Sequence, residues 1–285
     1  LSNWLAMWTA FFRGIPVFLW ADTNALAKTS VLKKCIKQLV IRPLLQGVAV
    51  CLAIGQRNRQ FYSALGVPKQ KIVHAPIAVD NDFFFEQAKA LSPKKQELRS
   101  KLGLPPQLPI ALFSGKLSRA KRPEDLLRAY ELVRGDCEAV LVFMGDGSLR
   151  EDLKAYVRER RIPNVYFAGF QNQSELSRYY AIADVFVVPS GFEPWGLVVN
   201  EAMCFGLPIV VSDQVGAAAD LVQDGVNGFV YPVGVTSELA KRLRSLLSDE
   251  VLRSRMGKMS RQMVADWGIP ETVEGVMQAL QRSKK

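Results

Sequence analysis

Six short apolar runs, at residues 110–114, 139–144, 165–167, 183–189, 208–212 and 229–231, alternate with segments of helical spacing. No other feature of the chain restricts its fold as much. Short apolar runs bounded by Gly, Pro or Asp read as strands buried on both faces, and each is followed by a stretch whose apolar residues recur three and four apart. Strand, helix, strand units of this kind require parallel strands with crossover helices, hence a sheet covered on both faces. The first part of the chain repeats the pattern on a smaller scale, with strands expected at 15–21, 48–54 and 71–74 and helices at 1–12, from 22–24 through about 40, and at 55–65. It reads as the second half of such a domain. The chain enters hydrophobic secondary structure directly at Leu1, and the expectation is that further residues precede it.

Between the two parts, residues 83–102 read as helical with a break near Pro93, and Pro105, Pro106 and Pro109 mark a domain boundary. With 285 residues, 49% of them hydrophobic, the chain is long enough for two cores. No apolar run is long enough to span a bilayer as a helix. The four cysteines, Cys35, Cys51, Cys137 and Cys204, show no paired spacing and read as free thiols in a reducing compartment. His74 is the only histidine, so a histidine-centred triad or a histidine-rich metal site has at most one member to draw on.

The net charge of +10 lies entirely in the first part, where residues 1–108 hold 15 Lys and Arg against 5 Asp and Glu, while residues 109–285 hold 22 of each sign. A basic segment joined to a neutral one points to an anionic partner for the first alone. Lys33, Lys34 and Lys37 lie opposite an apolar side made by Leu32, Cys35, Ile36, Leu39 and Val40. That arrangement suits an anionic membrane surface or an anionic acceptor, and equally a solvated helix face. No basic and aromatic interleaving suggests nucleic acid.

Candidate chemistry sits where strands give way to helices. Gly115 and Lys116 follow the strand at 110–114, and Lys121 lies just before Pro123, so backbone N–H groups and two ammonium groups can meet a diphosphate. Gly145-Asp146-Gly147 and Gly169-Phe170 follow the next two strands, and their glycines permit close backbone approach or a tight turn. Asp80-Asn81-Asp82 has the spacing of a metal-binding D-x-D, although beside Pro76 and Phe83 it reads better as a turn. Glu193 and Glu201 flank a strand-to-helix turn containing Pro194 and Gly196. Glu201 is expected to share a helix side with Leu197, Val198, Cys204 and Phe205, which would hold its carboxylate in apolar surroundings and oblige it to find hydrogen-bond donors.

Taken together, Gly115-Lys116 with Lys121, Gly145-Asp146-Gly147, Gly169-Phe170 and the E-x7-E spacing of Glu193 and Glu201 resemble retaining glycosyltransferases of family 4, the glycosyl transferases group 1, over residues 109–234. Residues 49–84 resemble the end of their amino-terminal domain. The resemblance implies the GT-B fold: α/β, two Rossmann-like doubly wound parallel-sheet domains, the first one incomplete here. It divides the chain into an acceptor-side domain with linker at 1–107, a nucleotide-sugar-binding domain at 108–262, and a final helix at 263–285 packing back on the first.

It implies further that Glu201 accepts hydrogen bonds from two ribose hydroxyls and Glu193 from the transferred sugar. Lys116 and Lys121 would stabilise the leaving diphosphate with the N–H groups of Gly196 and Leu197, Gly169 and Phe170 would hold the base, and Gly115, Gly145 and Gly147 would line the donor cleft. The implied activity is transfer of a hexose from a nucleotide-diphosphate sugar to a glycan or lipid-linked acceptor in cell-envelope polysaccharide synthesis. It would take place in the cytoplasm or at the inner membrane face, with no metal and no cofactor beyond the nucleotide sugar as co-substrate. Lys116 departs from the family, where Arg is common, as does Ala219-Asp220 in place of Pro-Glu. A family histidine near the donor sugar has no counterpart; Asp22 or Thr23 stands nearest its place. The other readings are an epimerase or phosphorylase on the same scaffold, and a non-catalytic basic binding module.

Overall fold

The apolar runs do form parallel strands. The computed structural model describes residues 2–24 and 41–283, and contacts divide the chain into two units, Leu1–Ala78 with Trp267–Lys285, and Val79–Asp266. The helix expected from residues 22–24 through about 40, with Lys33, Lys34, Cys35 and Lys37, lies outside the described residues.

In the first unit, β1 (Phe18–Trp20), β2 (Val50–Ala53) and β3 (Ile72–His74) form a parallel sheet in that order. β1 is shorter than the sequence suggested. All four β2 side chains are buried because both faces are covered. On one side Cys51 and Ala53 join Leu45, Val48, Tyr62 and Leu65, while on the other Val50 and Leu52 pack with Val73, Ala75 and Ala279. Ala279 belongs to the helix Ile269–Ser283, whose Gly275 fits so tightly that a Cβ there would lie 2.1 Å from the His74 carbonyl oxygen.

The second unit has six parallel strands: β4 (Ile110–Ser114), β5 (Val140–Met144), β6 (Val165–Gly169), β7 (Val185–Val188), β8 (Ile209–Ser212) and β9 (Gly228–Tyr231). Their spatial order is β6-β5-β4-β7-β8-β9. The chain builds outward from β4 to one edge, returns to the middle, and builds from β7 to the other. That is the doubly wound order, in which successive crossovers of one hand cover first one face and then the other. β4, β5, β7 and β8 are almost wholly buried, as their unbroken apolar runs require. Helix ends follow local chemistry. Pro123 occupies the first turn of Pro123–Val133, Asn172 caps Gln173–Ile182 by accepting from the Glu175 N–H at 3.1 Å, and Gly206 (φ +68°) follows Leu197–Cys204.

By contacts the units divide between Ala78 and Val79, and residues 79–107 go with the second, where the helices Asn81–Leu91 and Lys95–Lys101 pack against the helices Gln173–Ile182 and Leu197–Cys204. Arg99, 5% exposed, donates to the carbonyls of Ile182, Pro106 and Leu108 and pairs with Asp184 at 2.5 Å. Asp184 also meets Lys95 at 2.7 Å and the Ile110 N–H at 2.7 Å. Burial works to raise the Asp184 carboxyl, but the two cations and the N–H outweigh it and hold it below the usual carboxylate range. The prolines at 105, 106 and 109 therefore mark a turn inside a unit. The break near Pro93 is a 3-10 turn, Ser92–Lys94, between the helices Asn81–Leu91 and Lys95–Lys101.

The Asp80-Asn81-Asp82 sequence is structural. Asp80 caps the helix by accepting from the Phe83 N–H at 3.0 Å, and buried Asn81 donates to the Val264 carbonyl at 3.0 Å. Cys51 and Cys204 are buried free thiols.

Candidate active site

In a doubly wound sheet the loops leaving the two central strands diverge to opposite faces and open a crevice at their carboxyl ends. Here those strands are β4 and β7. The loops from β4, β5, β6 and β7 carry Gly115-Lys116, Gly145–Gly147, Gly169-Phe170 and Ser190–Glu193. A cavity of about 400 Å3 lies at this edge, lined in part by Gly115, Lys116, Gly145, Asp146, Phe170 and Gln171. The Lys116 side chain is exposed at its mouth, and the Phe170 ring, 78% exposed, stands beside it. Residues spread over more than fifty positions of sequence thus meet at one opening.

The glycines make this edge possible. A Cβ on Gly145 would lie 2.0 Å from the Gly115 carbonyl oxygen, and one on Gly147 would lie 2.3 Å from that of Leu117. The two loops pack backbone to backbone, with Gly115 N–H donating to Met144 O at 3.0 Å and Leu117 N–H to Asp146 O at 2.9 Å. Gly145 N–H in turn donates to Gly169 O at 2.8 Å. Gly147 is needed for contact between loops, in addition to any close approach of a ligand.

The loop after β7 is fixed from both sides. Gly191 N–H donates to Ala120 O at 2.8 Å, Glu193 N–H to Gln214 O at 3.1 Å, and Gly216 N–H to Glu193 O at 2.9 Å. Buried Trp195 donates from its ring nitrogen to Asn200 Oδ1 at 3.2 Å. Within this frame the Glu193 carboxylate bonds the Lys121 ammonium. Burial pulls Lys121 down from the usual lysine range. The helix Leu197–Cys204 begins directly afterwards, with Gly196 at its amino end in a left-handed conformation (φ +107°), so the positive end of that helix faces the same edge.

Glu201 lies in the second turn of this helix. Leu197 is 37% exposed, whereas Cys204 and Phe205 are buried, so the apolar side expected around Glu201 exists only toward the end of the helix. In the first turn Leu197 alone is exposed, while Val198 is partly buried and Val199 and Asn200 are fully buried. Burial pushes the Glu201 carboxyl up, and a hydrogen bond donated by the Tyr180 hydroxyl to its Oε2, at 2.6 Å, works in the other direction. Tyr180 was not anticipated. That a carboxylate in apolar surroundings needs a donor was legible, but the donor comes from another helix 21 residues away. Glu193, Lys121 and Glu201 do not line the cavity that holds Lys116 and Phe170.

The family model described as Glycosyl transferases group 1 matches residues 94–263. This chain belongs to that family. Among relatives of this group 1 member, the sulfoquinovosyl transferase SQD2 of Arabidopsis thaliana is 36% identical over 180 residues, covering 61% of this chain and 34% of the relative. The alpha-D-kanosaminyltransferase of Streptomyces kanamyceticus is 26% identical over 252 residues, covering 88% and 59%. Among solved structures, Anabaena Alr3699/HepE in complex with UDP superposes with a TM-score of 0.80 at 19% identity, covering 97% of this chain and 75% of that one. The likeness supports an α/β fold with two Rossmann-like parallel-sheet units. The chain spans 34 to 59% of the length of these curated relatives.

The first unit has a cavity of its own, about 610 Å3, lined by residues that include Trp20, Asp22, Ile77, Ile269 and Thr272. Asn58, 2% exposed, fixes its rim by donating to the carbonyls of Ala21 (3.1 Å) and Thr23.

Proposed function

We propose that the chain carries the donor-binding machinery of a retaining glycosyltransferase of family 4, which transfers a sugar from a nucleotide-diphosphate sugar to a glycan or lipid-linked acceptor. The observation that carries this reading is the convergence at one sheet edge of Lys116, a Lys121–Glu193 pair and a helix amino terminus, with half-buried Glu201 on the same helix. In such a transfer the bond from the anomeric carbon to the diphosphate breaks, the acceptor oxygen bonds to the same sugar face, and the diphosphate takes the electron pair and then the proton given up by the acceptor hydroxyl. Negative charge grows on the diphosphate. Cations and backbone N–H groups already in place there lower the barrier most, because they need no reorganisation as the charge develops.

In this reading Lys116, Lys121 and the N–H groups of Gly196 and Leu197 meet the diphosphate. Glu193 accepts hydrogen bonds from the sugar and Glu201 from the ribose hydroxyls. Gly169 and Phe170 hold the base, with Gly115, Gly145 and Gly147 forming the backbone wall of the cleft. The cavity beside Trp20 and Asp22 joins an aromatic ring to a carboxylate, a combination that suits a sugar face and its hydroxyls, and it is the proposed acceptor side. The basic character of residues 1–108 supports an anionic acceptor or an anionic membrane surface at the inner face, in cell-envelope polysaccharide synthesis.

Titration with UDP, GDP and ADP and their sugars, followed by thermal shift, tests the reading. UDP leads the panel because the HepE structures contain it. At a hundredfold excess over its dissociation constant a donor should add about 2.7 kcal/mol of stability. Replacing Glu201 by Gln should remove most of that shift, and unchanged nucleotide affinity in Glu201→Gln would overturn the assignment.

A further inference from the structure

A glutamate side chain has three rotatable bonds, and Glu201 has no cation within ion-pair distance among the described residues to hold its carboxylate still. What holds it is Tyr180. The phenol is 1% exposed, and its hydroxyl donates to Glu201 Oε2 at 2.6 Å. Its ring is wedged between Phe186 (centroids 5.6 Å apart, planes at 64°) and Phe205 (5.5 Å, 34°). Phe186 belongs to β7, and Phe205 directly follows the helix that carries Glu201, so the ring is clamped by the two elements that frame the edge. Tyr180 also lies in the last turn of Gln173–Ile182, whose end is tied down by Arg99 at the Ile182 carbonyl. The donor therefore has little freedom of its own.

We propose that Tyr180 is a positioning residue: it takes one oxygen of Glu201 and thereby orients the carboxylate so that its remaining lone pairs accept the two ribose hydroxyls of the donor. The proposal rests on the reading of Glu201 as the ribose ligand. A neutral donor suits this task better than a cation. An ionised carboxylate accepts about four hydrogen bonds, so one phenol leaves room for two hydroxyls, whereas a lysine or arginine would compete with them for the same charge. The titratable groups that face Glu201 are Tyr180 itself and the Cys204 thiol, which burial pushes up to about 12 and which is thus neutral. Burial raises the Glu201 carboxyl, and the phenol counters it. Removing the hydroxyl should accordingly loosen the carboxylate and extend its protonation to higher pH.

The test is Tyr180→Phe, which keeps the ring packing, with a melting curve to establish that the variant is folded. The dissociation constant is measured from pH 5 to 8 for whichever of UDP, GDP and ADP stabilises the protein most, and for its 2′,3′-dideoxy analogue. Tyr180→Phe should weaken the ribonucleotide about tenfold at neutral pH, the size expected for a hydrogen bond to a charged group. It should move the acid limb of binding to higher pH, leave the dideoxy analogue nearly unchanged, and add nothing when combined with Glu201→Gln. Equal weakening of both nucleotides, a further loss on the Glu201→Gln background, or an unmoved acid limb would each show a packing role only and overturn the proposal. Wild-type protein that binds the two nucleotides alike, with Glu201→Gln matching it, would instead remove the ribose reading itself. That result comes without any Tyr180 variant, so the two failures are distinguishable.

Discussion

Glu201 sits in a second helical turn with burial raising its carboxyl and a single phenol opposing that shift. If the ionised form receives the ribose hydroxyls, donor affinity is full above the raised folded value and falls as pH drops through it. The window lies above that of an ordinary glutamate. The same shift has the opposite sign for folding. A carboxyl whose folded value is raised binds protons more tightly in the folded state, so its contribution to stability declines as pH rises through that window. Nucleotide affinity and stability should therefore run in opposite directions across Glu201's titration. Calorimetric titration beside thermal melts over the same pH series checks this, and affinity that stays flat to the range of an unperturbed glutamate would refute it.

At the scale of elements, the site depends on loops held against loops. Gly216 has an unremarkable role in sequence, yet a Cβ there would lie 1.9 Å from the Pro194 carbonyl oxygen in the loop that presents Glu193. That loop also relies on the N–H groups of Gly216 and Ala217. Gly216→Ala should cost about 1–3 kcal/mol of stability, as overpacking does, and should weaken nucleotide-sugar binding more than nucleotide binding, because the displaced residue is the proposed sugar ligand. Urea denaturation and paired titrations provide the readout, with equal loss for both ligands as the contrary result.

For the whole molecule, the second unit closes its six-stranded sheet around β4 and β7 and recruits residues 79–107 through Arg99 and Asp184. Donor binding should slow hydrogen exchange in the loops at 114–121, 145–149 and 190–201, with β2 in the first unit unchanged. Those loops carry the proposed donor contacts, whereas β2 carries none and is already buried on both faces. Mass-resolved exchange with and without the stabilising nucleotide checks this. Protection confined to the first unit would contradict the placement of the donor.

The sequence by itself determined the alternation of strand and helix, and with it the parallel sheets and the edge at which Gly115, Lys116, Gly145, Phe170 and Glu193 emerge. Those are consequences of local periodicity and turn chemistry, which a linear reading resolves. It also carried the demand that a carboxylate in apolar surroundings be given a donor. Only the tertiary structure decided who supplies it, since Tyr180 and Glu201 lie on different helices. It alone showed that the prolines near 105 fall inside a unit, because Arg99 reaches the Ile182 carbonyl, 83 residues away. It alone showed that Leu197 is exposed and that Gly216 cannot bear a side chain. Each of these turns on distances between segments remote in sequence, and no local propensity encodes which distant backbone will lie within 2 Å of a missing Cβ.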